Sequence, residues 1–253
     1  MKIDRSNWGR LRISGGDRER FLQGLTTVNV QSLADGAHGW GAILNPKGRV
    51  LSVINLAKLG EEFLLACEPA LAEKTRAILE RYAVMDDVNF ETITGPAHQT
   101  WEEPVSVWRA PIAEGAGDVP EGDDAVERLR IRGGFMRYEV DVGEDNFPFE
   151  TPLTQFLDYD KGCYVGQEPV FRVHAQGNSA RTLRGFVIEG DGAVAPGALI
   201  KHANKDKAGE VTSAIAAGDG TTIALGYLHR TVWDVGGTVE IDGRKATVRE
   251  LPW

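Results

Sequence analysis

Apolar and polar positions follow two regimes along the chain. In the first, strand-like and helix-like spacings alternate. Trp8 to Ile13 has the period of two of a half-buried strand, and Asp17 then opens a short helix over Arg18 to Leu25 whose apolar face carries Phe21, Leu22 and Leu25. Trp40 to Leu44 and Val50 to Ala57 are apolar runs separated by Asn45-Pro46-Lys47-Gly48, turn chemistry that predicts a hairpin. Gly60 marks another turn, Phe63 to Cys67 reads as a strand, Pro69 begins a helix reaching Tyr82, and Val88 to Ile93 returns as a strand. Pro111 to Asp124 holds too few apolar residues for an element and reads as a loop. Val126 to Arg132 alternates again with the strand period, Thr151 to Leu157 fits a short helix, and His174 falls in a stretch read as strand.

After about Ala180 the regime changes to six short apolar runs punctuated by glycine: Leu183 to Ile188, Ala198 to Ile200, Val211 to Ala216, Ile223 to Tyr227, Val239 to Ile241 and Ala246 to Leu251. Six strands with no intervening helix predict a small barrel. The expected class is α+β. A region of two sheet-and-helix lobes, expected as structurally related halves without a detectable sequence repeat, covers residues 1–178, and an antiparallel β-barrel covers 179–253.

With 28 Lys and Arg against 37 Asp and Glu, the chain has a formal net charge of −9, which opposes general association with phosphate backbones. No direct nucleic-acid partner is therefore expected. The two cysteines cannot complete a four-thiolate cluster, and the five histidines show no close ligand spacing, so no metal site is expected. Met1-Lys2-Ile3-Asp4-Arg5-Ser6 lacks an apolar signal core, and no stretch approaches the roughly 20 apolar residues of a membrane helix. A cytoplasmic protein without a membrane partner is the expectation.

The richest chemistry lies in Lys161-Gly162-Cys163-Tyr164-Val165-Gly166-Gln167-Glu168, which packs a cation, a thiol, an amide and a carboxylate between and beside two glycines. That density suits a backbone bent close to something polar. If the segment is extended, Lys161 and Cys163 project from one face and the ammonium favours the thiolate. Cys67, inside the apolar run Phe63 to Cys67, reads instead as a buried structural thiol. In Phe147-Pro148-Phe149-Glu150-Thr151-Pro152 a carboxylate sits among rigid apolar residues, placed either to accept N–H donors from a ring or to favour the next helix N-terminus. Arg172 can pair with Glu168 or with a ligand carboxylate, Gln23 and Asn29 can line a cavity, and Trp40 and Tyr164 can stack on an aromatic ligand or fill the core.

The octapeptide resembles the signature of the YgfZ-type folate-binding proteins, relatives of the glycine cleavage T protein. The resemblance extends to Gly15-x-Asp17-x-x-x-Phe21-Leu22-Gln23-Gly24, to Pro46-Lys47-Gly48-Arg49-Val50-Leu51, and to Val211-Thr212-Ser213 followed by Ala224-Leu225-Gly226-Tyr227, in the family's order. It implies a three-lobed protein with tetrahydrofolate, or a one-carbon derivative, held near the centre. It also implies an accessory role in iron–sulfur cluster assembly or repair that supports tRNA-modifying enzymes, with iron–sulfur proteins or their assembly factors as partners. On this reading Cys163 and Lys161 carry the chemistry, and Glu150, Gln167, Glu168, Arg172, Tyr164 and Gln23 contact the folate. The enzymatic alternative is a tetrahydrofolate-dependent aminomethyl or methyl transferase. Ser52-Val53, which replaces the acidic pair of the T proteins, counts against it; Arg132 stands where they carry a pterin-contacting acid, so either another acid such as Glu150 takes over or the folate sits differently.

Overall fold

The computed structural model describes residues 1–176 and 179–253, with residues 174 and 176 described by their backbone alone. The chain opens with β1 (Lys2–Asp4), β2 (Gly9–Ser14) and α1 (Arg18–Leu25), followed by the hairpin of β3 (His38–Leu44) and β4 (Val50–Leu59) and by β5 (Glu62–Cys67). Next come α2 (Ala72–Tyr82), β6 (Asn89–Thr92), β7 (Ala97–Thr100) and the two-residue β8 (Ala113–Glu114). The region ends with α3 (Asp124–Gly133) and α4 (Gln167–Gln176). The main sheet is antiparallel with order β3-β4-β5-β2-β6, and β1, β7 and β8 form a second small sheet.

Beyond it, β9 (Arg181–Glu189), β10 (Leu199–His202), β11 (Lys205–Ala216), β12 (Thr221–His229), β13 (Thr238–Ile241) and β14 (Arg244–Arg249) close into an antiparallel barrel of order β10-β11-β12-β9-β14-β13. Its interior is a separate apolar core that includes Phe186, Ile188, Ile200, Val239 and Val248. The larger core runs from Ile3 through the main sheet to Tyr227 on β12, so the barrel's outer wall packs on the α+β region. The expected division between 178 and 179 falls next to residues 177–178, which lie outside the described residues.

Two stretches read as strand are helices. Over 126–132 the alternating letters hide a helical face of Val126, Arg130 and Ile131, all buried, and Arg130 is invisible to a count of apolar residues. Punctuation at both ends fixes α3: the Asp123 carboxylate accepts from the Ala125 N–H, and Gly134 closes the helix in the left-handed conformation at φ 66°. The stretch containing His174 is α4, whose Pro169 sits in the first turn, where its missing N–H has no intrahelical partner to lose. The short helix after Glu150 is a single 3₁₀ turn over Pro152–Phe156, capped by the Thr151 hydroxyl accepting from the Leu153 N–H.

The barrel is joined to the rest through Asp141, whose side chain is fully buried. Its carboxylate accepts from Arg130 Nη1 at 2.6 Å, the Arg137 N–H at 3.0 Å, Thr212 Oγ1 at 2.5 Å and Ser213 Oγ at 2.8 Å, and Tyr227 donates its hydroxyl to the Asp141 carbonyl. Successive strand residues ordinarily face opposite sides. Here the pairing of β11 with β12 shifts between Val211 and Ser213, which lets two consecutive hydroxyls reach one carboxylate.

Candidate functional site

The residues that shape the site begin at Asp158. Its Oδ1 accepts from the main-chain N–H groups of Asp160 and Lys161, bending the chain, and its Oδ2 accepts from Asn29 Nδ2 at 2.6 Å. The Asn29 hydrogen bond, with those backbone donors, holds the Asp158 carboxyl below its usual range. Asn29 in turn receives Gln23 Nε2, and Gln23 Oε1 accepts from the Val30 N–H at 2.7 Å. Gln23 is thus a buried strut between α1 and the loop after it.

That bend sends Lys161 inward. Its side chain is 6% exposed, and Nζ donates to the carbonyls of Thr26 and Val28, both at 2.6 Å, while lying 4.9 Å from the centre of the Tyr164 ring. Burial pushes the ammonium's pKa down to about 7, against the opposing pull of Asp158. Cys163 is exposed. The extended geometry expected from the sequence, with both side chains on one face, does not form: the turn built on Asp158 commits the ammonium to two carbonyls rather than to the thiol.

The remainder of the octapeptide is clamped. Tyr164 is buried, which raises its phenol to about 12. The Val165 N–H donates to the Gly24 carbonyl at 3.0 Å. Gly166 has φ 81°, and a Cβ there would stand 2.4 Å from the Asn45 carbonyl oxygen, in the turn of the β3–β4 hairpin. Gly48 in that same turn approaches Gly166 and Pro169 from the other side. The two glycine-bearing motifs singled out in the sequence are therefore one contact, and Cys163 rides on a loop fixed on both sides.

The other expected ligand-binding residues separate. Gln167 and Glu168 open α4 at the surface, and Glu168 pairs with Arg172 at 2.7 Å, one helical turn away and largely in solvent. Glu150 lies toward the barrel: its Oε2 accepts from Asn146 Nδ2 and the Phe147 N–H, and Arg181 is 3.5 Å away. It closes the turn that precedes it, rather than favouring the helix that follows. Ser52 is sealed in a hydrogen bond with the Thr75 hydroxyl at 2.7 Å, and Arg132 Nε is buried with no partner among the described residues.

Next to the loop is a cavity of about 480 Å³ with apolar walls from Val28, Leu33 and Phe156, and with Asn29, Asp158 and Asp160 at its edge. Trp40 also lines it, and the Trp40 indole N–H is buried without a partner among the described residues. Carboxylates beside apolar walls suit a heterocycle bearing N–H groups. Of these residues Asp158, Asp160 and Phe156 were not singled out from sequence; the one available signal was the pair of acids immediately before the octapeptide.

Two family models match: the GCVT N-terminal domain over residues 2–101 and the glycine cleavage T-protein C-terminal barrel domain over residues 181–252. A putative chloroplastic transferase of Arabidopsis thaliana is 26% identical, covering 99% of this chain and 70% of its own. The tRNA-modifying protein YgfZ of Escherichia coli O157:H7 is 24% identical, covering 88% of this chain and 83% of its own. The glycine cleavage system aminomethyltransferase T of Bartonella henselae superposes with a TM-score of 0.82 at 19% identity, over 99% of this chain and 85% of that one.

Proposed function

Because the chain belongs to the glycine cleavage T-protein family, we propose that it is a cytoplasmic, tetrahydrofolate-binding accessory protein of the YgfZ type, acting in the assembly or repair of iron–sulfur proteins. The observation that carries this reading is the signature loop, which presents an exposed thiol on a rigid support above a buried amine of near-neutral pKa. A division of labour between a two-lobed ligand-binding region, residues 1–178, and the barrel, 179–253, belongs to the same reading.

The cavity beside the loop suits a pterin because its apolar walls from Val28, Leu33 and Phe156 meet the Asp158 and Asp160 carboxylates. We assign the acceptor role to Asp158 and Asp160, which line this cavity, rather than to Glu150, which lies toward the barrel and does not line it. Bound tetrahydrofolate would supply a one-carbon carrier. Lys161 and Gln23 would shape the cavity's rim, Tyr164 would shield the amine from water, and Gln167, Glu168 and Arg172 would offer exposed polar contacts to the ligand's tail or to a client protein. Cys163 is the group positioned for covalent contact with a client.

Aminomethyl transfer remains the second reading, favoured by the likeness to the Bartonella fold. Against it, the enclosed Ser52 stands where the resemblance implies that this chemistry would need an acid. The test has two arms. Calorimetric titration with tetrahydrofolate should give saturable binding in roughly the micromolar range, weakened in Asp158→Asn and Asp160→Asn; no heat up to millimolar ligand sinks the folate assignment. In cells lacking this protein, Cys163→Ala should fold and bind folate yet fail to restore iron–sulfur enzyme activity. Full complementation by that variant, together with one-carbon transfer by the purified protein, would establish the transferase instead.

A further inference from the structure

Where the barrel meets the segment 139–146 lie two cavities, of about 390 and 280 Å³, which share Arg181, Glu210 and Tyr227 in their walls. Strand register explains the sharing. Arg181 on β9 is paired with His229 on β12, and Glu210 on β11 is paired with Tyr227 on the same β12, so a guanidinium and a carboxylate flank one aromatic ring at the barrel rim.

The two charges do not neutralise one another. The Arg181 guanidinium lies 4.7 Å from the Tyr227 ring centre, tethered through Nη2 alone to the Asp145 carbonyl and the Glu150 carboxylate at 3.3 and 3.5 Å. Its ion partner is Glu150 rather than Glu210. Glu210 is exposed. Beyond Arg181 the smaller cavity is lined by Lys207 and His229, and Lys205 and Arg230 stand close enough to lower the pKa of His229, after a larger effect of desolvation. The larger cavity adds Glu139 and Asp145, together with Glu144, which is paired with Lys74 at 2.7 Å. The groove is therefore cationic at one end and anionic at the other, with a fork-shaped donor and a carboxylate at its middle.

We propose that this groove is a binding site for a zwitterionic small molecule, an α-amino acid, whose carboxylate meets Arg181 and whose ammonium meets Glu210, the two charged groups that both cavities share. A guanidinium takes a carboxylate through two parallel hydrogen bonds, and a carboxylate is the natural acceptor for an ammonium. The Tyr227 ring supplies the flat wall between them. A lone anion would face Glu210 and the acids of 139–145, and a lone cation would face Arg181 and Lys207. Only a ligand carrying both charges satisfies Arg181 and Glu210 together. The inference is independent of the folate reading and of Cys163.

The experiment is a calorimetric titration of the full chain with glycine, L-alanine and L-glutamate, with acetate and methylammonium as the two halves of the ligand, while the ring signals of Tyr227 and His229 are followed by NMR. At least one amino acid should bind saturably and move both signals, and acetate or methylammonium alone should bind at least about tenfold more weakly. Arg181→Lys, which keeps the charge but loses the fork, and Glu210→Gln, at an exposed position, should each reduce affinity about five- to tenfold, with the unfolding midpoint unchanged in Glu210→Gln. Absence of saturable binding by all three amino acids overturns the proposal. So does acetate binding as well as the amino acids, or undiminished affinity in Glu210→Gln.

Discussion

Lys161 and Asp141 are both ionisable groups removed from water, and the protein solvates them in opposite ways. Asp141 is met by a guanidinium, a main-chain N–H and two hydroxyls, all aimed at its carboxylate. Lys161 is met by two carbonyl dipoles and an aromatic face, while the nearest acid, Asp158, accepts bonds that bend the loop. The contrast separates a joint from a site: a fully paired charge fixes one arrangement, whereas a charge held by dipoles alone stays close to losing its proton.

The largest effect should come from breaking the joint. Asp141→Ala leaves Arg130 buried without one of its two acids and four donors without their acceptor, an expected loss of about 3–5 kcal/mol in urea unfolding. Amide exchange should quicken first in β11, where Thr212 and Ser213 dock. A loss under about 1 kcal/mol would mean that apolar packing, rather than this carboxylate, holds the barrel in place.

Next is the support of the site. Gly166→Ala puts a methyl 2.4 Å from the Asn45 carbonyl at φ 81°, and about 1–3 kcal/mol of destabilisation is expected. The same change should alter the alkylation rate of Cys163, since loop and hairpin can no longer touch. Unchanged stability and unchanged thiol kinetics would show that the contact is dispensable.

The pH dependence sharpens the comparison further. Lys161 falls from an ordinary 10.5 to about 7, so between these values the unfolded chain binds a proton that the folded chain does not. Stability therefore rises as pH increases from about 7 toward 10.5, and below 7 the whole penalty is present. Glu68 runs the other way. Burial raises it from 4.5 to about 7 against the Tyr138 N–H, so its contribution is complete below 4.5 and is lost as pH climbs to about 7. In denaturant titrations across pH, Lys161→Met should flatten the rise above 7 and Glu68→Gln the fall below it. A Lys161→Met profile that parallels wild type would place the amine in ordinary solvent.

The smallest stability effect belongs to the thiol. Cys163 is exposed, so Cys163→Ala should shift unfolding by no more than about 0.5 kcal/mol. Mass-spectrometric mapping should find Cys163 alkylated at neutral pH while Cys67, whose thiol burial lifts to about 11, stays unmodified. Earlier labelling of Cys67 would mean that the main sheet opens more readily than its packing implies.

The barrel was the most legible part of the chain, because six glycine-bounded apolar runs admit few alternatives, and each overlaps an observed strand. The β3–β4 hairpin and α1 were legible for the same reason: turn residues and period agreed. Failures came where polar residues are internal. Arg130 completes the buried face of α3 and Asp141 organises the barrel junction, yet an apolar count scores both as surface. β1 and β7 are too short to establish a period and exist through pairing with each other. At the site, the octapeptide marked the right loop but not its internal geometry. Asp158, three residues upstream of Lys161, decides which way the amine points, and its turn-forming bonds depend on where Asn29 lies.

The cage around Lys161 also counts protons. A neutral primary amine has two N–H groups, and the pocket offers two carbonyl oxygens at bonding distance, from Thr26 and Val28. A third hydrogen has only the face of Tyr164 to meet. That face attracts the charged form, and loss of its proton leaves both carbonyl bonds in place, so the junction after α1 keeps the same partners as the amine titrates.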